Sequence, residues 1–554
     1  MKIFSILFFL ISPLASQELV DVLWNKKNLS EPYSYNQLAD YIEKSSKFDT
    51  NLKGKISIGK VLGKGFTTIV DQYNIYNAYH QEIPDFSIEI SFENGNVIPD
   101  NTGLMLTTHP FWNIQFGIGK SFNDSSLDVA VILIPFSLMH KDANCVHTGV
   151  SIFSIDKSFN ASNIIFQIAS ETCAYFKFDY ISIYEAKFTD LKTNTNYKKN
   201  ISLDYDEIDS FDQLYAKYQI KSNSFGDSKD FLTENMTIYG LIDGDKYLAL
   251  SPCFTRLGNN IFCNQIVLPS YSLAKSIAGS LSLSLVNNKY KDISQYFIRD
   301  LIPQCDIKKW SNVTLENLSD MSTGQYFSTK FDYDESSITT TNFLFKSNTH
   351  DKKVKLACKA FPKKRTPGKA FVYHTSDTYL LGTAMNNYLK NNFNVRDYFD
   401  DVLVPFLDEK NFSEISKHSL RTDDVSRTPF TGWGMYFSET DMKKLSKLFH
   451  SIKKNKNSPY KFIYEALNPD YANTLIAIRS DDIYYNNGFW SKVFDKDIFG
   501  CQKDIWVPFM SGFGGITFAF FPNGMSYFYF SDGYTYSWND AAMASHEIRS
   551  FCEI

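Results

Sequence analysis

The stretch Leu268-Pro269-Ser270-Tyr271-Ser272-Leu273-Ala274-Lys275-Ser276-Ile277-Ala278-Gly279 decides how this chain is read. It runs from an apolar approach into small and apolar residues, the pattern of a buried helix from Ser272 to about Val286. Ser272 and Lys275 are three apart, so on a helix both side chains fall on one face. A serine hydroxyl attacks a carbonyl only when a base takes its proton, and a lysine one turn on serves if burial lowers its pKa. The free N–H groups of a helix start favour negative charge, so the Ser272 amide suits half of an oxyanion hole. Spacing alone says little, because Ser-x-x-Lys occurs five times, at Ser57, Ser154, Ser272, Ser451 and Ser458. Ser272 stands apart because its lysine lies inside an apolar run, where lysines are rare without a role.

Two further stretches lie downstream. The first is Phe371-Val372-Tyr373-His374-Thr375-Ser376-Asp377-Thr378-Tyr379-Leu380-Leu381-Gly382; the second is Phe509-Met510-Ser511-Gly512-Phe513-Gly514-Gly515, whose glycines let backbone approach a ligand closely. Alone, Tyr373 reads as a packing residue in an aromatic strand and the glycines as a bulged strand. In order with Val313-Thr314-Leu315-Glu316-Asn317-Leu318-Ser319-Asp320-Met321-Ser322-Thr323-Gly324 and Gly432-Trp433-Gly434-Met435-Tyr436-Phe437-Ser438-Glu439-Thr440-Asp441-Met442, they carry a resemblance over residues 235–554. The region resembles the serine β-lactamase and penicillin-binding-protein family, closest to its class C, esterase and 6-aminohexanoate-dimer-hydrolase-like branch.

That resemblance implies an α+β, transpeptidase-like domain of antiparallel sheet with helices. It implies an acyl-enzyme on Ser272, with Lys275 as proton acceptor and Tyr373 relaying protons to the leaving group and from the deacylating water. The amides of Ser272 and of the glycine-rich strand at about Gly512, beside Ser511, would form the oxyanion hole. No cofactor or metal is implied. The chain departs from the family pattern twice. Thr375 stands where the tyrosine motif often has Asn, and Met510-Ser511-Gly512, or Phe509-Met510-Ser511 when aligned on the double glycine, stands where Lys-Thr-Gly or His-x-Gly is common. Neither supplies a cation for a substrate carboxylate, which points away from β-lactam hydrolysis and D-alanyl-D-alanine cleavage and toward another ester or amide. No Gly-x-Ser-x-Gly, Walker A or His-Glu-x-x-His motif competes.

Outside this region, residues 17–205 read as a β-rich accessory domain, sandwich-like or barrel-like. Phe86, Ile88, Ile90 and Phe92 alternate with polar residues and run into Asn94-Gly95, a hairpin signal. Residues 206–234 read as a linker with a short helix around Phe211 to Tyr218. After it come a hairpin from Met236 to Leu250, helices from Thr378 to Leu389 and Thr440 to Phe449, strands from Ile505 to Tyr529 and a last helix from Asp540 to Phe551. Ser438 and Asp441 write a capping box at the start of the second helix.

The N-terminus has Met1-Lys2, an apolar run from Ile3 to Leu14 and then Ala15-Ser16-Gln17, the layout of a signal peptide over residues 1–16. No later segment has the ~20 apolar residues of a membrane span. All eight cysteines follow this leader, and an even count in an exported chain suggests disulfides, with Cys253 and Cys263 the best-placed neighbours. Fifty-six Lys and Arg against 61 Asp and Glu leave a net charge of −5, which offers no basis for binding nucleic acid. The expected protein is an exported serine hydrolase acting on a small-molecule or peptide-like ester or amide. The competing expectation is a secreted, catalytically weak protein that binds a peptidoglycan-like or other ligand on the same fold.

Overall fold

Alternating apolar residues build the first half. Strands β1 (Lys53–Asp71), β2 (Ser87–Glu93), β3 (Asn96–Pro99), β4 (Trp112–Phe116), β5 (Gly119–Asp124), β6 (Val129–His140), β7 (Val146–Asp156), β8 (Ile164–Thr172) and β9 (Phe176–Asp190) form one antiparallel sheet. β5 pairs with both β3 and β6, and β9 returns to β1, so the sheet closes into an up-and-down barrel. Closure removes the sheet edges that would otherwise template aggregation. The Asn94-Gly95 turn joins β2 to β3 with both residues at positive φ, 52° and 77°, as a two-residue hairpin demands.

The run Val129–Phe136 is apolar at every position because both of its faces are buried. Ile132, Ile134 and Phe136 point into the barrel with Phe166 and Phe178. Val131 and Leu133 point outward, under helices α1 (Leu14–Asn25) and α2 (Tyr35–Lys44), against Leu19, Leu23 and Leu38.

The computed structural model describes residues 14–25, 31–48, 50, 52–124, 128–191, 208–221, 224–226, 235–305, 308–536 and 538–552. The leader expected over 1–16 lies almost wholly, and the linker expected over 206–234 partly, outside the described residues. The helix expected there is α3 (Phe211–Tyr218), capped by Ser210 and Gln213.

The second half is built on a sheet in the order β11-β10-β17-β16-β15-β14-β13-β12. Its strands are β10 (Met236–Asp243), β11 (Lys246–Leu250), β12 (Leu475–Ile478), β13 (Ile483–Asn486), β14 (Phe489–Phe494), β15 (Ile505–Gly512), β16 (Ile516–Phe520) and β17 (Met525–Ser531). β10 lies beside β17, so the first and last strands of this region meet one strand in from the β11 edge of the sheet. Helices fill the long excursion between β11 and β12. They include α4 (Ser282–Lys289), α5 (Thr375–Phe393) and α6 (Glu439–Lys454), with α7 (Asn539–Ile548) following β17. The architecture is α+β, with antiparallel sheets and packed helices. α6 starts at the Ser438/Asp441 capping box and buries Met442, Leu445 and Phe449.

The helix expected from Ser272 differs in kind. Lys275–Leu281 is a π-helix, and regular α-helix begins only at Ser282. The π segment is packed from outside by the Asn487-Gly488 turn between β13 and β14, where Gly488 at φ +81° accepts a hydrogen bond from Ser276. A Cβ on Gly488 would meet the Lys275 carbonyl at 3.0 Å, so the turn fits here only without a side chain. Such π segments recur at functional sites.

The halves are joined by buried polar contacts. Lys177 of β9 pairs with Asp532, just past β17, at 2.6 Å and also donates to Asn235. Arg256 forks onto Glu171 of β8 at 2.7 and 2.8 Å. All eight cysteines are paired, as Cys145–Cys173, Cys253–Cys263, Cys305–Cys358 and Cys501–Cys552. The last three bridges lie within the second half and the first within the barrel. This full pairing is compatible with an exported protein. Among the described residues, no helix is long and apolar enough to cross a membrane.

Candidate active site

Ser272 follows a strained turn. Tyr271 sits at φ +41°, in the left-handed region a bulky residue rarely enters. What holds it there comes from the barrel. Asn144, in the loop between β6 and β7, accepts hydrogen bonds from the Tyr271 amide and, at 3.1 Å, from the Ser270 hydroxyl. The Asn144 amide donates to the Met435 carbonyl, which also takes the Ser270 N–H.

One turn beyond Ser272, Lys275 is 2% exposed. Its Nζ donates to Ser272 Oγ at 2.9 Å, to Thr375 Oγ1 at 3.0 Å and to the Gly432 carbonyl at 2.9 Å. Burial brings its pKa down to about 8, against the opposing pull of Glu335. The other four Ser-x-x-Lys lysines, Lys60, Lys157, Lys454 and Lys461, are all exposed.

Tyr373 lies before α5 in irregular backbone, not in the aromatic strand its neighbours suggested. Its ring faces Lys275 Nζ, 5.0 Å from the centroid, and stacks on Trp490. Burial and then the Glu335 charge hold its hydroxyl well above the usual range, opposed by a hydrogen bond with Ser272. The group is therefore a phenol, and so a proton donor, near neutrality.

Next to it, His374 is clamped between Asp334 (3.0 Å) and Asp377 (3.3 Å) and stacked on Phe361. Burial alone would lower its pKa; the Asp377 charge and its two carboxylate bonds overcome that and raise it to about 9. One residue further on, Thr375 donates both its N–H (2.9 Å) and its hydroxyl to the carboxylate of Glu335. Adjacent residues Asp334 and Glu335 thus grip adjacent residues His374 and Thr375 at the start of α5.

The glycine-rich strand divides into two parts. Gly514 and Gly515, at φ +89° and +110°, belong to the turn between β15 and β16. Gly512 ends β15 against the turn before the serine, where a Cβ would lie 3.0 Å from the Ser270 carbonyl and 3.1 Å from Tyr271. β14 pairs with β15 only as far as Phe509. Met510, Ser511 and Gly512 continue along β16 alone, so their outer edge faces the serine helix. Ser511 is half-buried and paired with Thr517.

The structure therefore gathers Ser272, Lys275 and Tyr373, and sets Gly512 beside them with Ser511 one residue back. It adds Thr375, Gly432, Glu335 and Asn144. Thr375 and Gly432 lie in motifs visible in the sequence. Glu335 and Asn144 lie in none, and only their partners identify them.

Among the described residues, the one group spaced to hold a metal is Cys145, His147 and Cys173. Its two thiols are joined to each other as a disulfide, so they offer no thiolate.

No protein-family model and no curated protein matches the chain. Solved structures do. The chain is similar to a 6-aminohexanoate-dimer hydrolase-like protein from Bacillus anthracis, at 16% identity over 58% of this chain and 79% of that one, with a TM-score of 0.40. It is similar to a class C β-lactamase mutant at 12% identity, over 64% of this chain and 99% of that one, with a TM-score of 0.42. It is similar to a class C β-lactamase at 13% identity, over 61% and 93%, with a TM-score of 0.40. All three identities are 16% or lower.

Proposed function

We propose that this chain is an exported serine hydrolase that cleaves an ester or amide through an acyl-enzyme on Ser272. The observation that carries this reading is the buried Lys275 side-chain nitrogen, 2.9 Å from Ser272 Oγ, with its pKa brought down to about 8 so that the free amine is accessible. A lysine so placed takes the Ser272 proton as Oγ attacks the carbonyl carbon, and general-base help of this kind is worth about 10²–10⁴ in rate. Tyr373, kept as a phenol, hands a proton to the leaving oxygen or nitrogen. The amides of Ser272 and of the strand at about Gly512 receive the oxyanion. Residues 235–554 form the hydrolase domain, 17–205 a β-rich domain beside it, and 1–16 a signal peptide.

The mouth of the site favours an uncharged, apolar acyl group. Phe331 packs on Trp490, which stacks on Tyr373, while Phe513 packs on Tyr271 and Tyr534. No cation stands in Phe509–Gly515 to bind a carboxylate.

The test is incubation of the full chain with a fluorophosphonate and, separately, a penicillin, followed by peptide mapping. A fluorophosphonate adduct on Ser272, lost in Ser272→Ala, supports the hydrolase. Identical behaviour of Ser272→Ala and the parent chain rejects it in favour of a binding protein.

A further inference from the structure

We propose that Glu335 is a positioning residue which, by accepting the Thr375 hydroxyl proton, turns the lone pair of the free-base Lys275 toward Ser272. The inference rests on the hydrolase reading above and names a residue beyond it. Lys275 Nζ has three partners: Ser272 Oγ, Thr375 Oγ1 and the Gly432 carbonyl. A neutral lysine amine has two N–H bonds and one lone pair to distribute among them. The Gly432 carbonyl can only accept. A threonine hydroxyl has one proton to give, and the Thr375 proton goes to Glu335 Oε1, so toward Lys275 that oxygen too can only accept. Both N–H bonds are thereby claimed, and the lone pair is left facing Ser272, whose O–H is the one donor remaining.

The proton balance closes on the same geometry. The Ser272 proton passes to Nζ while Oγ forms its bond to the substrate carbonyl carbon. The resulting ammonium has three N–H bonds and the same three oxygens to receive them. Glu335 gains and loses no proton.

The carboxylate is itself anchored. Its second oxygen takes the Thr375 N–H at the start of α5, where the helix dipole favours negative charge. Burial pushes its pKa above the usual carboxylate range, and the Lys275 charge, the two Thr375 hydrogen bonds and the clamped His374 pull the other way, toward the ionised form. With no carboxylate here, the Thr375 hydroxyl is free to point at Lys275 and draw the lone pair away from the nucleophile.

The experiment follows the rate of fluorophosphonate labelling of Ser272 against pH in the parent chain and in Glu335→Gln, Thr375→Val and Thr375→Ser, each checked for folding by thermal unfolding. In the parent the rate should climb through about pH 8, as Lys275 loses its proton. Glu335→Gln should lower the plateau about 10- to 100-fold. It should also move the midpoint to lower pH, because the Glu335 charge raises the Lys275 pKa. Thr375→Val should lower the plateau likewise, and Thr375→Ser should keep the parent's rate. A folded Glu335→Gln with the parent's plateau and midpoint overturns the proposal. So does a lowered plateau at an unmoved midpoint, the mark of a merely structural residue. A parent chain that never labels overturns the hydrolase reading and this inference with it, whereas labelling that ignores Glu335 overturns the inference alone.

Discussion

Lys275 is set apart from the other four lysines of its motif by burial, and burial changes what it can do. An exposed lysine keeps its proton through the physiological range, whereas desolvation disfavours the charged form and brings this one down to about 8. Because only the free base can take the Ser272 proton, kcat/KM for a neutral ester should rise with pH up to a plateau, with a midpoint near 8. A rate–pH profile on the full chain checks this, and a flat profile from pH 6 to 9 excludes Lys275 as the base. The Ser272–Lys275 pair was legible in the sequence because three-residue spacing on a helix is a local relation. The Glu335–Thr375 contact was not, since 40 residues separate the two and nothing nearby in the chain announces a partner.

The turn before Ser272 shows the same division among elements. The chain brings Tyr271 to positive φ, yet the acceptor that holds it is Asn144, 127 residues earlier, on a loop of the barrel. Asn144→Ala removes that acceptor from a buried N–H and hydroxyl, a loss of about 1–3 kcal/mol. It should lower the unfolding temperature and slow fluorophosphonate labelling of Ser272 about 10-fold or more, because a nucleophile displaced by even 1 Å costs rate steeply. Labelling at the parent rate would show that the turn holds itself. The helix of the serine also departs from its expected form. Apolar periodicity predicts a buried helical segment without distinguishing α from π, and the choice goes with the Asn487-Gly488 turn packed against Lys275–Leu281. By contrast, α6 began where Ser438 and Asp441 placed it, since a capping box is complete within four residues.

Across the whole molecule, the buried Lys177–Asp532 pair ties the last barrel strand to the end of the central sheet. Both side chains lie almost wholly out of water, so removing one partner leaves the other charge uncompensated. Lys177→Met should destabilise the chain by about 3–5 kcal/mol, read as a fall in the thermal midpoint, and adding Asp532→Leu should restore much of it. Equal losses in the single and double variants would mean the pair contributes packing alone.

The sequence by itself determined what short-range chemistry determines: alternating strands, caps, hairpin turns, a serine and lysine on one helical face, and the aromatic, cation-free Phe509–Gly515 segment. The tertiary structure alone decided the rest: that the first sheet closes into a barrel, that this barrel supplies Asn144 to the nucleophile's turn, and that Glu335 reaches Thr375. These contacts join residues tens to hundreds of positions apart, and burial, which gives Lys275 its chemistry, exists only once the chain has packed around it.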